Sequence, residues 1–269
     1  MLNFAANLTT LFTERPFLDR FGAAADAGFN QVEFLFPYEF EVDAIKRRIE
    51  KYNLTVALIN APAGDWEAGE RGLAAIRGKE EAFRQSVLMA EHYANALNVP
   101  RVHIMSGIKP ENSSVLFDDN LFIENIRWAA EHLASNDIDV LLEPLNTYDN
   151  PGYYLSDYQK ALSLISKVEH PAVKLQFDTY HAQLISGNLS RKLSDWISII
   201  GHIQIASVPE RHEPRDGEIN HAHIFTLLQN LNYEGSIGCE YHPRDNTESG
   251  LGWITPYLNN TPSTTHKEG

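Results

Sequence analysis

Short apolar runs rich in β-branched and aromatic residues alternate with longer segments of helical periodicity along most of the chain. Strict alternation of strand-like and helix-like segments favours a parallel sheet with helical crossovers. Eight strands are predicted, at 4–7, 31–34, 55–60, 101–105, 139–143, 173–178, 202–206 and 236–241. Because eight strand–helix units favour closure over an open sheet, the pattern predicts a single (β/α)₈ TIM barrel.

The segments between the strands have the apolar spacing of amphipathic helices. Helices are predicted at 17–27, 42–52, 79–97, 120–135, 156–168, 182–200 and 221–231. We expect a break in the sixth of these at Gly187-Asn188. Two long connections, 61–78 and 146–155, leave the carboxyl ends of strands, where long loops often serve as lids or binding loops.

Composition limits the domain organisation. The chain has 269 residues, of which 43% are hydrophobic, and this suits one large domain. We assign residues 1–258 to the catalytic barrel. The polar segment 259–269 is rich in Ser, Thr and Pro, and its composition predicts a disordered tail.

Charge and cysteine content disfavour several classes of protein. The formal net charge is −14, whereas binding to a nucleic-acid backbone relies on Lys and Arg. No apolar run reaches the ~20 residues that cross a bilayer, so no membrane partner is expected. One cysteine, Cys239, permits no internal disulfide. With no recognisable secretory signal, this favours a cytoplasmic protein.

Four polar residues stand at the ends of the last four predicted strands. They are Glu143, Asp178, Gln204 and Glu240. Carboxyl ends of barrel strands meet at one mouth, where such barrels carry out chemistry. Three carboxylates and an amide suit Mg²⁺ or Mn²⁺ better than zinc, so the pattern predicts a divalent metal site.

Each of these residues also has an ordinary structural explanation. Glu143 alone could be an exposed or paired carboxylate, and Asp178 could cap the helix that follows it. The case for a site rests on the four occurring together.

Other polar residues are candidates for contact with a substrate. His181 follows Asp178 at the strand-to-helix turn, where we expect a substrate contact. His202 shares the side of its strand with Gln204 and is expected one layer deeper, in a packing role. Arg71 and Arg211 are candidate partners for an anionic substrate, although a solvated loop position is the commoner fate of such residues.

Four segments carry a resemblance to a known family. They are FLFPY at 34–38, PAGDWEAGERG at 62–72, DGEIN at 216–220 and IGCEY at 237–241. Over residues 1–258 the chain resembles the hydroxypyruvate isomerase family of xylose-isomerase-like barrels. The same signature occurs in 2-oxotetronate isomerases, so the resemblance leaves these two substrates open.

The resemblance implies roles for particular residues. Glu143 and Glu240 match the paired glutamates that move the proton, and together with Asp178 and Gln204 they match the metal site. Related epimerases usually have His where this chain has Gln204, and the change is expected to weaken metal binding. His181 matches a histidine that contacts the substrate.

The function implied is conversion of hydroxypyruvate to 2-hydroxy-3-oxopropanoate (tartronate semialdehyde) through a cis-enediolate. The expected partner is a small anionic hydroxy-oxo acid, and a homo-oligomer remains open. The alternatives are a 2-oxotetronate isomerase, or a metal-dependent dehydratase or lyase on the same barrel, because an acid–base pair also suits β-elimination.

Overall fold

A computed structural model describes residues 2–109 and 117–258. Its centre is a closed barrel of eight parallel strands in sequential order, β1 pairing with both β2 and β8. The strands are β1 Asn3–Asn7, β2 Gln31–Phe34, β3 Thr55–Asn60, β4 Arg101–His103, β5 Asp139–Leu142, β6 Val173–Asp178, β7 Ile200–Ile205 and β8 Ser236–Cys239. The predicted (β/α)₈ barrel is confirmed.

Helices cover the outside of the barrel. They are α1 Phe17–Asp26, α2 Val42–Tyr52, α3 Glu80–Leu97, α4 Asp119–Ala134, α5 Tyr158–Val168, α6 Thr179–Ser186, α7 Leu189–Trp196 and α8 His221–Asn230. Two short helices, α9 Thr247–Gly250 and α10 Thr255–Leu258, flank a 3₁₀ turn and were not predicted. The predicted tail, 259–269, lies outside the described residues.

The predicted break at Gly187-Asn188 is confirmed, since two helices, α6 and α7, are separated at these residues, which have φ of 57° and 56°. The outer bounds predicted for this segment, 182–200, are wrong. Helix α6 begins earlier, at Thr179, because the Asp178 side chain accepts a hydrogen bond from the Tyr180 backbone N–H and caps the helix. Ile200 belongs to β7 rather than to the helix.

The main apolar core lies between the strands and the helices. Aromatic side chains such as Phe21, Phe34, Phe83, Phe122 and Phe177 are fully buried there. In the part of the chain that the structure describes, no helix is long and apolar enough to cross a membrane.

The interior of the barrel is polar at its upper end. Glu33, Gln176, His202 and Gln204 are each 1% exposed or less. Branched apolar residues usually fill this position in such barrels. Buried polar side chains require partners, so these residues indicate a built hydrogen-bond network beneath the barrel mouth.

Candidate active site

The four strand-end residues lie on the neighbouring strands β5 to β8, but at two depths. Asp178 is level with Gln204, and Gln204 is level with Gly238. Glu240 stands two residues beyond Gly238 and just past the end of β8, so it lies nearer the mouth. Glu143 follows the last residue of β5, where the pairing of Leu142 with Leu175 places it opposite Gln176. The site therefore has an upper layer with Glu240 and a lower layer with Asp178 and Gln204.

Arg211 joins a carboxylate of each layer. One guanidinium nitrogen, Nη2, lies 3.0 Å from Oε1 of Glu240 and 3.4 Å from Oδ2 of Asp178. The guanidinium also lies 4.9 Å from the centre of the Tyr180 ring. The sequence predicts Arg211 as a partner for an anionic substrate, whereas the structure places it as a cation against two of the four strand-end residues.

Asp178 has two functions in this arrangement. Its Oδ1 accepts a hydrogen bond of 2.7 Å from the Tyr180 backbone N–H. Its Oδ2 faces Arg211 and lies 3.8 Å from Nε2 of His181. The helix-capping role and the site role are therefore compatible, because each uses a different oxygen.

His181 presents a fixed N–H to the site. Its Nδ1 lies 3.1 Å from the Asn146 backbone N–H and 2.8 Å from the Asn146 side-chain amide. The Oδ1 of Asn146 accepts from the backbone N–H groups of Tyr148 and Asp149, so its NH₂ must face the ring. Nδ1 is thus an acceptor, and the ring proton is on Nε2, on the side of Asp178.

Burial keeps this histidine neutral. Burial, with a smaller effect from Arg211, lowers the pKa of His181 well below its usual range. A neutral imidazole with its proton on Nε2 can donate a hydrogen bond to an oxygen in the site. It has no lone pair on that nitrogen for a metal ion.

Glu143 connects the site to the polar network below it. Its Oε2 accepts a hydrogen bond of 2.9 Å from Nε2 of Gln176 and lies 3.7 Å from Nδ1 of His103. Its Oε1 is buried and has no hydrogen-bond partner among the described residues. Single donor atoms of Glu143, Asp178 and His181 lie within 4.8 Å of one another.

The three carboxyl groups differ in their electrostatic surroundings. Burial, followed by repulsion from Glu240 and Asp178, raises the pKa of Glu143 well above its usual range. Burial raises the pKa of Glu240 to about 8, although Arg211 opposes the rise. Burial also raises the pKa of Asp178, against Arg211 and two backbone N–H groups. Glu143 and Glu240, two carboxyl groups with raised pKa values in one site, suit proton transfer.

Gln204 belongs to the lower layer. Its Nε2 donates to Oε1 of Glu33 at 2.8 Å, and its Oε1 accepts from Nε2 of Gln176 at 2.6 Å. Both ends of the amide are thus engaged with protein groups. Glu33 and Gln176 were missed from the sequence, although each is a polar residue flanked by apolar neighbours inside a strand, which is the signal that could have revealed them.

The remaining histidines are less central. His202 lies deeper than Gln204, as expected, with Nε2 2.7 Å from Oε2 of Glu33. Burial lowers the pKa of His103 to about 3, so it is neutral beside Glu143. His242 lies beside the site, and its backbone N–H donates to the Arg211 carbonyl.

Arg71 lies in the long loop 61–78. Its guanidinium stacks 3.6 Å from the centre of the Trp66 ring and donates to the backbone carbonyls of Trp66 and Glu70. Among the contacts of residues 2–109 and 117–258, none joins Arg71 to the strand-end carboxylates. The structure therefore holds Arg71 on its own loop and does not bring it into the cluster.

The predicted metal site can be tested against the donor atoms. A single ion on all four residues would need free oxygens from each of them. Gln204 is hydrogen-bonded to Gln176 and Glu33, and Arg211 lies against both Asp178 and Glu240. Oxygens of Glu143 and Asp178 lie close enough to share an ion, whereas Gln204 and Glu240 are engaged with protein groups, and the metal stays a prediction.

Comparison with known proteins agrees with this architecture. The family model of the xylose isomerase-like TIM barrel matches residues 21–257. The 2-oxo-tetronate isomerase of Cupriavidus necator is 46% identical over 258 residues, covering 96% of this chain and 99% of that protein. The hydroxypyruvate isomerase of Escherichia coli is 44% identical over 257 residues, covering 96% and 100%.

Two solved structures illustrate the range of similarity. The structure of a Brucella melitensis protein named AP endonuclease, family 2 has a TM-score of 0.92 and 50% identity, covering 96% of this chain and 99% of that one. The 3-keto-D-glucoside 4-epimerase of E. coli has a TM-score of 0.79 at 19% identity, covering 95% and 99%, which shows a shared fold alone. This chain belongs to the xylose isomerase-like TIM barrel family.

Proposed function

We propose that this chain is an isomerase that interconverts hydroxypyruvate and 2-hydroxy-3-oxopropanoate through a cis-enediolate. The observation that carries the proposal is the pair of buried glutamates, Glu143 and Glu240, with raised pKa values in one site with Arg211 and His181. Relatives named hydroxypyruvate isomerase and 2-oxo-tetronate isomerase at 44–46% identity support the same reaction class.

The surroundings of the two glutamates suggest how they divide the work. Glu240 has a cation at 3.0 Å, which favours its ionised form, so it is the base in the forward direction. Glu143 has no such direct ion pair with Lys or Arg among the described residues, and burial with repulsion from Glu240 and Asp178 raises its pKa well above its usual range. It is therefore the acid in that direction.

The net reaction moves one proton from C3 to C2 and one from the C3 oxygen to the C2 oxygen. The Glu240 carboxylate removes a proton from C3 of hydroxypyruvate, and the electron pair forms the C2–C3 double bond of an enediolate. Glu143 delivers its proton to C2. The C3 hydroxyl loses its proton as the aldehyde forms, and the C2 oxygen gains one. The reverse reaction exchanges the two roles.

Charge that develops on the enediolate oxygens needs donors that are already in place. The guanidinium of Arg211 and the Nε2–H of His181 are such donors, and donors of this kind are usually the largest single catalytic effect. The substrate carboxylate needs a further cation, for which Arg71 on the loop 61–78 remains a candidate. The Mg²⁺ or Mn²⁺ predicted from the sequence remains a proposal, and the proton transfers above use protein groups only.

The endonuclease activity that the name of the Brucella protein implies is less well supported by this site. Cleavage of DNA would call for a cationic face, whereas the chain carries a net charge of −14. Among residues 2–109 and 117–258, the one cluster with donor atoms close enough to share a metal ion is Glu143, Asp178 and His181, and its single histidine turns a protonated nitrogen to the site.

One assay separates the remaining candidates. Purified protein is incubated with hydroxypyruvate and with 2-oxotetronate, and products are followed by NMR while kcat/KM is measured for each acid. Isomerisation of either acid supports the proposed class, and the larger kcat/KM identifies the substrate. An unsaturated product with release of water would instead support the dehydratase.

A further inference from the structure

We propose that Glu33, deep in the barrel, is a positioning residue for the isomerisation. Through Gln204 and Gln176 it determines which oxygen of Glu143 faces the reacting carbons. The inference rests on the proposed function, since it concerns the proton that Glu143 transfers. It stands on a chain of hydrogen bonds whose direction is fixed at one end by the backbone.

The fixed end is Asn7, at the end of β1. Its Oδ1 accepts a hydrogen bond of 3.0 Å from the Thr9 backbone N–H. A backbone N–H can only donate, so the amide cannot be reversed without leaving two donors face to face. Its Nδ2 therefore points to Glu33, 2.9 Å from Oε1.

Glu33 in turn sets the orientation of the Gln204 side-chain amide. The same Oε1 of Glu33 receives the Gln204 Nε2 at 2.8 Å, so one oxygen accepts two amide donors. The Glu33 side chain is 0% exposed, and a buried carboxylate without donors would be very costly. The NH₂ of Gln204 thus faces Glu33, and its Oε1 must face the other way.

Gln176 completes the chain. Because Gln204 presents an oxygen, Gln176 must present its NH₂, which it does at 2.6 Å. The same nitrogen donates to Oε2 of Glu143 at 2.9 Å. Oε2 is therefore held as an acceptor, and the proton of a protonated Glu143 lies on Oε1, the buried oxygen that has no partner among the described residues.

The backbone of β8 leaves room for this arrangement. A Cβ atom at Gly238 would lie 2.2 Å from Oε1 of Glu33, so a side chain there would displace the Glu33 carboxylate from its hydrogen bonds. The IGCEY segment therefore serves two purposes. Its glycine admits the Glu33 carboxylate, and Glu240, two residues later, reaches the mouth.

Kinetics of Glu33 variants test the inference. Glu33→Leu removes the acceptor, so the side-chain amides of Gln204 and Gln176 lose their fixed orientation. We expect kcat to fall at least ~100-fold with KM changed less than ~3-fold. Glu33→Gln can keep an oxygen toward Asn7 and Gln204, so it should retain kcat within ~10-fold. A folded Glu33→Leu protein with the wild-type kcat would overturn the inference.

Glu91 provides a matched control. Its carboxylate also accepts from a histidine and an amide, His132 at 2.8 Å and Asn136 at 2.8 Å, but it lies on helix α3, outside the barrel. Glu91→Leu should change the melting temperature and leave kcat unchanged. A loss of kcat in Glu91→Leu equal to that in Glu33→Leu would show a general effect on the fold and overturn the positioning role.

A double variant tests whether Glu33 acts through Gln204. In Glu33→Leu/Gln204→Leu the two facing groups are both apolar, which buried sites often tolerate better than one unpaired partner. We expect the double variant to have the same kcat as either single variant. If the fold-losses in kcat of the two single variants multiply in the double variant, Glu33 and Gln204 act independently, and the inference that Glu33 acts through Gln204 is overturned.

Neutron diffraction of the wild-type protein shows the orientation of the Gln204 and Gln176 amides directly, without an activity assay or a substitution. Deuterons should lie on Gln204 Nε2 toward Glu33 and on Gln176 Nε2 toward Oε2 of Glu143. The opposite orientation of either amide overturns the inference, whatever the substrate. A wild-type protein that isomerises neither acid would instead refute the proposed function. The amide orientations are measured without substrate, so they test the role of Glu33 separately from the proposed function.

Discussion

The guanidinium of Arg211 lies 3.0 Å from the carboxylate of Glu240, and the same nitrogen lies 3.4 Å from Asp178. The sequence predicts a divalent cation for these two carboxylates, and the structure places a side-chain cation against both. Arg211 is therefore the charge that most directly favours an ionised Glu240 among the described residues.

This ion pair changes the expectation for the metal. If Arg211 supplies the positive charge, protein freed of metal with EDTA should keep kcat within ~2-fold, because that guanidinium already lies against Glu240 and Asp178. Metal content is checked by elemental analysis, and Mg²⁺ and Mn²⁺ are added back. A large loss on EDTA treatment that either ion reverses would show instead that the residues rearrange around a metal.

Replacement of Arg211, unlike removal of metal, should lower kcat. Arg211→Met removes the cation that lies against both Glu240 and Asp178, so kcat should fall ~100-fold or more. Arg215→Met is the control, since Arg215 lies in the same loop but pairs with the exposed Asp216 at 3.2 Å. Equal losses in both variants would point to disruption of the loop rather than to loss of the cation.

Removal of either proton-transfer group should abolish turnover. Glu143→Gln and Glu240→Gln each replace a carboxyl with an amide of the same shape, and we expect kcat to fall ~10³-fold. Circular dichroism should show an unchanged fold. A variant that keeps near-wild-type kcat would rule out the two-glutamate scheme.

The same variants should be more stable at alkaline pH. A carboxyl whose pKa is raised in the folded state loses folding stability as pH rises from its unfolded pKa through its folded pKa. For Glu240 this window runs from its ordinary value of 4.5 to about 8. The melting temperature of Glu240→Gln should thus exceed that of wild type at pH ~9 and approach it near pH ~4. An unchanged difference across this range would contradict the raised pKa.

The pH dependence of catalysis should report on the base. Glu240 must be ionised to remove the C3 proton, and its pKa is raised to about 8. We therefore expect kcat/KM for hydroxypyruvate to rise with pH and to level off above about 8. A profile already flat from about pH 5 upward would mean that the base titrates at its ordinary value, contrary to the electrostatics of the site.

His181 should contribute as a neutral hydrogen-bond donor. His181→Leu removes the Nε2–H, and loss of one such donor typically lowers kcat ~10²-fold. Because burial lowers the pKa of His181 well below its usual range, its protonation should add no titration in the neutral and alkaline range. A wild-type kcat in this variant would exclude His181 from the reaction.

The alternation of strands and helices is enough to predict the barrel, because period-two and helical patterns are local properties of the sequence. Element ends are harder to place. The start of α6 at Thr179 depends on the Asp178 cap. The other end of the segment 182–200 has helical spacing in the sequence, but Ile200 belongs to β7, which depends on pairing with another strand.

The residues at the strand ends could be predicted, since strand ends converge in a barrel. The network beneath them could not. Glu33 and Gln176 lie inside strands, and their importance comes from partners on other strands, such as His202 and Gln204. The orientation of the Gln204 amide depends on Asn7, almost two hundred residues away in sequence, so no local pattern could reveal it.

The central claim, that Glu240 and Glu143 move a proton between the two carbons of hydroxypyruvate, is tested most directly by proton NMR in D₂O. With wild-type protein, we predict loss of the C3 proton signal and a product that carries deuterium at C2, while Glu240→Gln gives neither. Wild-type protein that exchanges no proton and forms no isomer, or a Glu240→Gln protein that exchanges as fast as wild type, would contradict it.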